Sequence, residues 1–422
     1  MKRTAESGSP QIGFVFALLV ALLLRIAFGA VAIRGYEPTA GDPRDYVLLA
    51  ENIRAGNGYA LPWSFASANG ASAPLRPTAL RPPLYPLFLS AVFTVAGHRM
   101  LAVVIAQALL DTLTCALVGM TGAALFGPLP GLVAVWWAAL YPPLWVHVAR
   151  IWSECLFVAL TVMLLFTLSR QRPGSFVGVS FRAGVLVGLA CLTRPNGIFL
   201  GPVALIAARG AADVRGRIVA AMLAVLGAAL VLLPWTIRNY RCFGRFIPLS
   251  TMDAVVLRGA YNDEVLGDPS MRGAWSLRTV ATESAGSSDE IELRDRFARS
   301  TRRWLDDHWR KLPRLVVARV ARFWSPQWEA SEIAFAPRMP WLESCNRLLY
   351  LLTIGCALRG VWVARRRWRE WYPLLLVLVV FSLNAALTWG GWRLRAPAEP
   401  VLVLLATASF RRAPQQAAAR RW

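Results

Sequence analysis

Long apolar runs recur along this chain and constrain its fold more than any other feature. Runs of about 17 to 25 residues are long enough to cross a hydrocarbon core of ~30 Å as a helix. The composition agrees, because 56% of the 422 residues are hydrophobic and only 17% are charged. A soluble globular domain typically carries ~25% charged residues. The sequence therefore predicts an all-α polytopic membrane protein.

About ten segments are predicted to span the membrane, with both termini in the cytoplasm. The connections 169–182, 209–217 and 359–369 carry several arginines each, which places them on the cytoplasmic side by the positive-inside rule. The first run is read as a retained span and not as a cleaved signal peptide. The predicted spans are 12–33, 100–126, 130–148, 152–168, 183–193, 197–208, 218–237, 341–358, 372–388 and 400–410.

This topology divides the chain into successive parts. The predicted parts are a transmembrane module at 1–237 with a polar first outer loop at 34–83, an extracytoplasmic domain at 238–340, C-terminal transmembrane helices at 341–411 and a cytoplasmic tail at 412–422.

Shorter helices are predicted outside the spans. The spacing of Tyr46, Leu49 and Ile53 predicts an amphipathic helix in the first outer loop, and either Asp42 or Asp45 could be its N-cap. The apolar segment 84–96 is too short to span comfortably and is predicted to be a juxtamembrane helix. In the extracytoplasmic domain, Ser287 with Glu290 predicts a capping box at a helix start.

The net charge of +22 raises the question of nucleic-acid binding. No basic patch interleaved with aromatic residues is present, so base composition and cytoplasmic loop charge explain the excess better. The six cysteines show no paired spacing and predict neither a zinc site nor a disulfide framework. The three histidines form no metal-ligand pattern, and the sequence leaves open a divalent cation bound by carboxylates.

Charged residues at the ends of the predicted spans converge on the extracytoplasmic side. Ionised groups at membrane depth cost at least ~2.5–3.5 kcal/mol, so such groups tend to mark a functional cavity. Arginines bind phosphate through charge-assisted hydrogen bonds, and a carboxylate can accept a proton from a hydroxyl. A lipid-linked phosphosugar would present both needs at that depth. The converging residues are Asp42, Asp45, Arg81, Glu154, Arg194, Arg238, Arg393 and Arg395.

Several short motifs carry these residues in a fixed order. In order and spacing they resemble the integral-membrane GT-C glycosyltransferases, the relatives of protein O-mannosyltransferases and of the lipid A aminoarabinose transferase. The resemblance extends to about Pro400. The motifs are Gly41-Asp42-Pro43-Arg44-Asp45-Tyr46, Arg81-Pro82-Pro83-Leu84-Tyr85-Pro86, Ser153-Glu154, Leu192-Thr193-Arg194-Pro195, Pro234-Trp235-Thr236-Ile237-Arg238-Asn239-Tyr240 and Arg393-Leu394-Arg395-Ala396-Pro397.

The resemblance implies a hexosyl- or pentosyltransferase that inverts the anomeric carbon. Its donor would be a polyprenyl-phosphate-linked sugar, and its acceptor a hydroxyl of a glycolipid, polysaccharide or protein at the outer face of the cytoplasmic membrane. In that family an acidic residue of the first outer loop is the catalytic base, and the match falls on Asp42 with Asp45 as the alternative.

The remaining converging residues are expected to bind the donor phosphate or to support the site. Arg238 and Asn239 could instead be a snorkelling pair at a span end. The expected phosphate ligands are Arg81, Arg194, Arg238, Arg393 and Arg395, and the expected supporting residues are Glu154, Asn239, Tyr46 and Tyr85.

Two other functions use a similar arrangement. A transporter or flippase of lipid-linked sugars would also need arginines at the outer leaflet and broken helices. It would in addition need polar groups along its whole path, whereas here they collect on one side. An oligosaccharide polymerase or ligase would use a pyrophosphate-linked donor and a large outer loop late in the chain. The acidic motif in the first loop argues against it.

Overall fold

Helices make up almost all of the structure, a computed structural model that describes residues 8–62, 74–172, 174–285, 287, 289–329 and 339–411. Helices satisfy their own backbone hydrogen bonds, which is the requirement for crossing a bilayer. The all-α polytopic class predicted from the sequence is confirmed. The predicted cytoplasmic tail at 412–422 lies outside the described residues.

The first half of the chain alternates long and short helices. Its helices are α1 (Gly8–Ala32), α2 (Gly41–Arg54), α3 (Leu84–Ala96), α4 (Met100–Phe126), α5 (Pro128–Leu140), α6 (Pro142–Trp145), α7 (Glu154–Ser169), α8 (Phe176–Thr193), α9 (Gly201–Ala204) and α10 (Val214–Phe243). Short 3-10 segments cover Val146–Ala149, Pro195–Leu200 and Leu205–Gly210.

The second half begins with short helices and ends with apolar ones. Its helices are α11 (Met252–Ala260), α12 (Asp263–Gly267), α13 (Leu277–Ser284), α14 (Glu290–His308), α15 (Leu312–Phe323), α16 (Pro340–Ala364), α17 (Trp368–Leu387), α18 (Trp392–Arg395) and α19 (Glu399–Thr407). Further 3-10 segments cover Trp309–Lys311, Arg365–Arg367, Ala396–Ala398 and Ala408–Phe410.

Fewer helices are long enough to cross a membrane alone than the ten segments expected from the sequence. By length and composition, the described residues contain five such helical segments, or six if the bent pair of α5 with 142–149 is one span. The two parts of that pair meet at 59°, and α3 and α7 are apolar but shorter. The expected spans at 197–208 and 400–410 instead contain short α and 3-10 pieces. The long segments are Gln11–Ala32, Met100–Phe126, Phe176–Thr193, Val214–Phe243 and Pro340–Leu387.

The segment Pro340–Leu387 is a helical hairpin. The carbonyl of Trp324 accepts a hydrogen bond from the Tyr350 hydroxyl of α16 at 3.0 Å. The indole Nε1 of the same Trp324 donates a hydrogen bond to Ser382 Oγ of α17 at 3.2 Å. The first half of α16 and the last turns of α17 therefore lie at the same level, so the two helices are antiparallel and each can cross once.

The transmembrane helices approach closely where glycine faces a neighbour. A Cβ added to Gly184 of α8 would lie 1.9 Å from the carbonyl oxygen of Ala224 in α10. A Cβ on Gly360 of α16 would lie 1.8 Å from the carbonyl oxygen of Leu405 in α19. Small residues at such contacts let helix backbones pack tightly in a membrane, where apolar side chains gain little by leaving lipid.

The first outer loop contains two short strands, β1 (Ala60–Pro62) and β2 (Leu75–Pro77). They pair antiparallel with Leu61 opposite Arg76. The loop then continues through residues 78–83 into α3, so the strand pair sets the position of the chain just before Arg81.

The helix starts differ from two of the expectations. α2 begins at Gly41 with Ala40 as its N-cap, and no side chain makes a capping hydrogen bond there. Neither of the two candidate aspartates is therefore a cap. α14 is capped by Asp289, whose side chain accepts hydrogen bonds from the amides of Ile291 and Glu292. The expected Ser287 capping box is wrong, and Glu290 makes a different set of contacts, described below.

Candidate functional site

Two aspartates of α2 face one arginine of the first outer loop. Asp42 and Asp45 lie three residues apart, so they project from the same face of the helix. Arg81 Nη1 lies 2.7 Å from Asp42 Oδ1, and Nη2 lies 2.7 Å from Asp45 Oδ2. Arg81 Nε also donates to Asp45 Oδ2 at 3.0 Å. One guanidinium therefore holds both candidate bases.

A second arginine connects Asp42 to the start of α7. Arg393 Nη2 donates to Asp42 Oδ2 at 3.0 Å, and its Nε donates to Glu154 Oε1 at 2.7 Å. Arg194 Nη1 lies 2.7 Å from the same Glu154 oxygen. Three carboxylates and three arginines from five separate parts of the chain thus form one continuous ion-pair network. We call these residues, Asp42, Asp45, Arg81, Glu154, Arg194 and Arg393, the charged cluster.

Aromatic and hydroxyl side chains surround the charged cluster. Arg393 lies 4.2 Å above the ring of Trp152, a cation–π distance. Ser153 Oγ accepts hydrogen bonds of 3.3 Å from Tyr46 and from Arg194. Tyr46 packs edge-on against Tyr85, with ring centroids 4.8 Å apart. These contacts limit the rotamers that the arginines and α2 can adopt.

Tyr85 anchors this arrangement to the membrane helices. It is fully buried, and its hydroxyl donates to Gln107 Oε1 of α4 at 2.8 Å. Gln107 Nε2 in turn donates to the carbonyls of Val148 and Arg150. Of the expected supporting residues, Glu154 belongs to the charged cluster, Tyr46 lies beside the Arg81 guanidinium, and Tyr85 supports Tyr46 from behind.

The two aspartates differ in electrostatic environment. Burial acts to raise the pKa of Asp42, but Arg81, Arg393 and Arg194 outweigh it and hold that pKa well below the usual value of an aspartate. Burial raises the pKa of Asp45 and is only partly offset by Arg81. At neutral pH Asp42 is therefore ionised and available to accept a hydrogen bond from a hydroxyl.

A cavity of about 390 Å³ opens beside the charged cluster. Asp42, Arg81 and Arg194 line it, together with residues of α11 and of α17, whereas Asp45 does not line it. Apolar side chains, among them Met252 and Val256, form much of the remaining lining. The cavity can hold a ligand with a charged group at one end and apolar or neutral parts elsewhere.

Arg238 and Asn239 lie apart from the charged cluster. Arg238 donates to the carbonyl oxygens of Thr78 and Tyr59, at 2.7 Å each. Asn239 is fully buried, and its Nδ2 donates to the carbonyl of Ile247 at 2.9 Å. The structure places these two predicted site residues at the base of the first outer loop, where Arg238 holds the two loop segments together.

Arg395 also lies apart from the cluster, although it is two residues from Arg393. It is fully buried, its Nε lies 2.5 Å from Glu399 Oε1, and its Nη1 donates to the carbonyl of Phe323 at 2.7 Å. Tyr141 donates to the other oxygen of Glu399 at 2.8 Å. These contacts stabilise the packing of α18 and α19, and Arg395 is not among the residues that line the cavity.

Glu290 holds the loop that carries Arg81, a role that its sequence context did not predict. Its carboxylate accepts hydrogen bonds from Thr78 Oγ1 at 2.7 Å, from the Ala79 amide at 3.0 Å and from Thr251 Oγ1 at 2.6 Å. α14 is thereby attached to the loop two residues before Arg81. The sequence signal was present only as an acidic residue in a helix's first turn, which suggested a cap.

Three further residues could have been singled out by their sequence context. Ser153 precedes Glu154 in a quoted motif, Asn196 follows the Arg194-Pro195 break, and Asn384 is a polar residue inside an apolar run. Polar residues at membrane depth commonly face a cavity. Both asparagines line the cavity beside Arg194.

The described residues contain no group of three or more His, Cys, Asp or Glu side chains that could hold a metal ion. The two Asp42 oxygens instead face Arg81 and Arg393.

Part of the chain resembles a known protein family. Residues 80–237 match the family model for dolichyl-phosphate-mannose-protein mannosyltransferase. A sequence comparison with curated proteins gives no match.

Solved structures share the fold. The archaeal oligosaccharyltransferase AglB from Archaeoglobus fulgidus, in complex with an inhibitory peptide and a dolichol-phosphate, matches with a TM-score of 0.58 and 15% identity. The match covers 95% of this chain and 50% of AglB, so the chain spans about half the length of that protein. An Archaeoglobus fulgidus oligosaccharyltransferase tethered to an acceptor peptide matches with a TM-score of 0.56 and 13% identity, and the match covers 96% of this chain and 49% of the other.

A weaker similarity is to ArnT from Cupriavidus metallidurans bound to undecaprenyl phosphate. It has 16% identity and a TM-score of 0.43 over 96% of this chain and 78% of ArnT. Residues 80–237 are thus similar to the dolichyl-phosphate-mannose-protein mannosyltransferase family, and the chain shares its fold with AglB.

Proposed function

We propose that this protein transfers a sugar from a polyprenyl-phosphate donor to an acceptor hydroxyl, with Asp42 as the catalytic base. The observation that carries the proposal is the position of Asp42 in the wall of the cavity, with Arg81 and Arg194 beside it. Asp45 does not line the cavity, and Arg81 engages it through two nitrogens. Asp45 therefore suits the role of orienting Arg81.

The transfer step follows from this arrangement. The acceptor hydroxyl gives its proton to the Asp42 carboxylate as its oxygen attacks the anomeric carbon. The bond from that carbon to the phosphate oxygen breaks, and the electron pair leaves with the polyprenyl phosphate. Attack opposite the leaving group inverts the anomeric carbon. Arg194 and Arg81 stabilise the charge that develops on the leaving phosphate, and such positioned charges commonly supply much of an enzyme's rate enhancement.

Phosphate binding must compete with the carboxylates already paired to these arginines. Arg194 and Arg393 share one Glu154 oxygen, so the charge of Arg194 is only partly neutralised. Arg194 can therefore accept a second anion most easily. An arginine has five N–H donors in a planar fork and can serve a carboxylate and a phosphate together. We assign Arg194 as the main phosphate ligand, with Arg81 second and Arg393 bridging Asp42 to Glu154.

We place the reaction at the outer face of the cytoplasmic membrane. Arg194 follows the C-terminal end of α8, whereas the arginines of the connection 169–182 precede that helix or lie in its first two turns. The positive-inside rule puts that connection in the cytoplasm. The charged cluster then lies at the opposite end of the span.

Substitution of the two aspartates tests the assignment. In the purified full-length protein, Asp42→Asn should abolish transfer from polyprenyl-phosphate-linked sugars while binding of undecaprenyl phosphate is retained or tightened, because Arg81 and Arg393 lose a competing anion. Asp45→Asn is the matched control and should reduce the rate by a smaller factor. Full activity of Asp42→Asn would refute the assignment. Movement of the lipid-linked sugar across vesicles without transfer would instead favour the transporter alternative.

The same geometry bears on the divalent cation that the sequence left open. Two guanidinium groups already neutralise the Asp42 carboxylate, one at each oxygen. We therefore expect transfer to continue at an unchanged rate in excess EDTA. A rate that falls with EDTA and returns with Mg²⁺ or Mn²⁺ would contradict this expectation.

A further inference from the structure

Two amide side chains line the cavity next to the charged cluster and have no role in the transfer step described above. Asn384 lies in the last turn of α17, and Asn196 lies two residues after Arg194 in the 3-10 segment that follows α8. Thr388, four residues after Asn384, lines the same cavity. A polar wall therefore continues beyond the arginines that are expected to hold the phosphate.

Each of these amides has a buried atom without a hydrogen-bond partner. Asn384 is only 2% exposed, and its Nδ2 has no partner. The Oδ1 atom of Asn196 is also buried and without a partner. By contrast, Asn262 satisfies its amide through Gly259 and Val265. A buried unsatisfied polar group costs about 1–3 kcal/mol, so such groups in a cavity wall are suited to bind a polar ligand.

The location of the amides identifies the part of the ligand that they would contact. If Arg194 holds the donor phosphate and Asp42 approaches the acceptor hydroxyl, the anomeric carbon lies between these two residues. The sugar ring attached to that carbon must then occupy the cavity that they share with Asn196 and Asn384. A hydroxyl both donates and accepts hydrogen bonds, and so does a carboxamide.

The charges of the cavity wall limit the sugar further. Asp42 is paired with Arg81 and Arg393. Asp253, the other acidic residue of the wall, is paired with Arg294 at 2.7 Å. No other acidic side chain is among the described residues that line the cavity, so an ammonium group on the sugar would lack a counter-ion.

We propose that Asn384 and Asn196 bind hydroxyl groups of the transferred sugar, and that this sugar is a neutral hexose or pentose. This inference rests on the proposed function for the position of the phosphate. Asn384 is the stronger candidate, because it is the more deeply buried and lies on a regular helix.

Binding of two lipids to the full-length protein in nanodiscs tests the proposal. The probes are undecaprenyl phosphate and undecaprenyl phosphate carrying mannose. Asn384→Leu should weaken binding of the mannose-bearing lipid about 5- to 10-fold, the loss of one hydrogen bond, and leave binding of the bare lipid phosphate unchanged. Because the substitution breaks no described hydrogen bond of the Asn384 side chain, the thermal unfolding temperature should not fall.

Asn346 offers a matched control on the neighbouring helix α16. It is fully buried, and its Nδ2 donates to the carbonyl of Pro326 at 3.0 Å. Asn346→Leu should lower the unfolding temperature but leave the ratio of the two lipid affinities unchanged. If Asn384→Leu fails to fold, Asn196→Ala carries the same test, with the same selective loss expected.

Several results would overturn the proposal. Equal weakening of both lipids would mean that Asn384 acts on the phosphate or the tail. Unchanged affinity for both lipids in the Asn384 and Asn196 variants would mean that neither amide contacts the sugar. As a third probe, undecaprenyl phosphate carrying an amino sugar should bind more weakly than the mannose lipid, and tighter binding would refute the neutral class. Failure of the unsubstituted protein to bind either lipid would overturn the proposed function as well, whereas equal binding of both would overturn this inference alone.

Discussion

Arg238 provides the sharpest test of how the structure divides the arginines, through the substitution Arg238→Lys. Its two terminal nitrogens each hold one backbone carbonyl of the first outer loop, and its guanidinium lies 5.1 Å from the ring centroid of Trp235. Lysine has one ammonium group on a flexible stem and cannot reproduce the planar two-point contact. The substitution should therefore loosen the loop that carries Arg81 without removing a phosphate ligand.

The size of the effect follows from these contacts. A hydrogen bond from a charged donor contributes about 1.5–3 kcal/mol, and a cation–π contact about 0.5–1 kcal/mol at a partly exposed site. Loss of one such bond and of the ring contact would reduce the free energy that holds the first outer loop in its docked position by about 2–4 kcal/mol. At about 1.4 kcal/mol per factor of ten, the docked population shifts roughly 30- to 700-fold against the undocked one. The two bonds from the loop to Glu290, donated by Thr78 Oγ1 and the Ala79 amide, remain and keep part of the loop in place.

Three measurements on Arg238→Lys, with Arg194→Lys as the control, check this reasoning. Amide hydrogen exchange at Thr78, whose amide donates to the Tyr59 carbonyl, should accelerate in Arg238→Lys, and the transfer rate should fall. Affinity for undecaprenyl phosphate should stay within about twofold, whereas Arg194→Lys should weaken that affinity about tenfold or more, the loss of a charge-assisted bond. Equal loss of lipid-phosphate affinity in the two variants would show that Arg238 binds phosphate and would refute the division.

Further predictions concern stability and pH. Burial raises the pKa of Glu290 despite its hydroxyl donors. The contribution of Glu290 to stability is therefore largest at low pH and falls as pH rises through its folded-state pKa. The unfolding temperature of the wild type relative to Glu290→Gln should fall between pH 4 and pH 8, and a constant difference would contradict this. Glu399→Gln leaves the buried charge of Arg395 uncompensated and should lower the free energy of unfolding by about 3–5 kcal/mol. A stable variant that selectively loses lipid-phosphate binding would show that Arg395 belongs to the binding site. Gly184→Ala should lower the free energy of unfolding by about 1–3 kcal/mol, because the added methyl group meets a backbone carbonyl of α10. Gly355→Ala, where the added methyl group meets no other atom, is the control and should be neutral or stabilising. Equal effects of the two substitutions would refute the close packing of α8 and α10.

The helices whose limits depend only on the length and polarity of one apolar run could be predicted from the sequence. The expected limits of α3 and α4, residues 84–96 and 100–126, agree with the structure. Each depends on a local property, the length and polarity of one run. The expected short spans at 197–208 and 400–410 fared worse, because their prolines and glycines allow 3-10 pieces whose position depends on packing against other helices.

The site divides in the same way. From the sequence alone, five arginines were expected to bind the phosphate, with a snorkelling alternative open for Arg238. The structure brings Arg81, Arg194 and Arg393 to the charged cluster, and it places Arg238 under the first outer loop and Arg395 in a buried ion pair. No local pattern separates Arg393 from Arg395, because their roles depend on which carboxylate each meets after folding.

The sequence by itself determined that the chain crosses the membrane many times, and it predicted that the acidic first outer loop and the arginines at the span ends belong on one side. Both follow from the cost of placing polar groups in hydrocarbon, which each segment meets alone. Only the tertiary structure decided that Asp42 lines the cavity and that Asn384 faces it as well. Asp42 meets Arg393 across a separation of 351 residues, and such a contact exists only when the helices between them are packed.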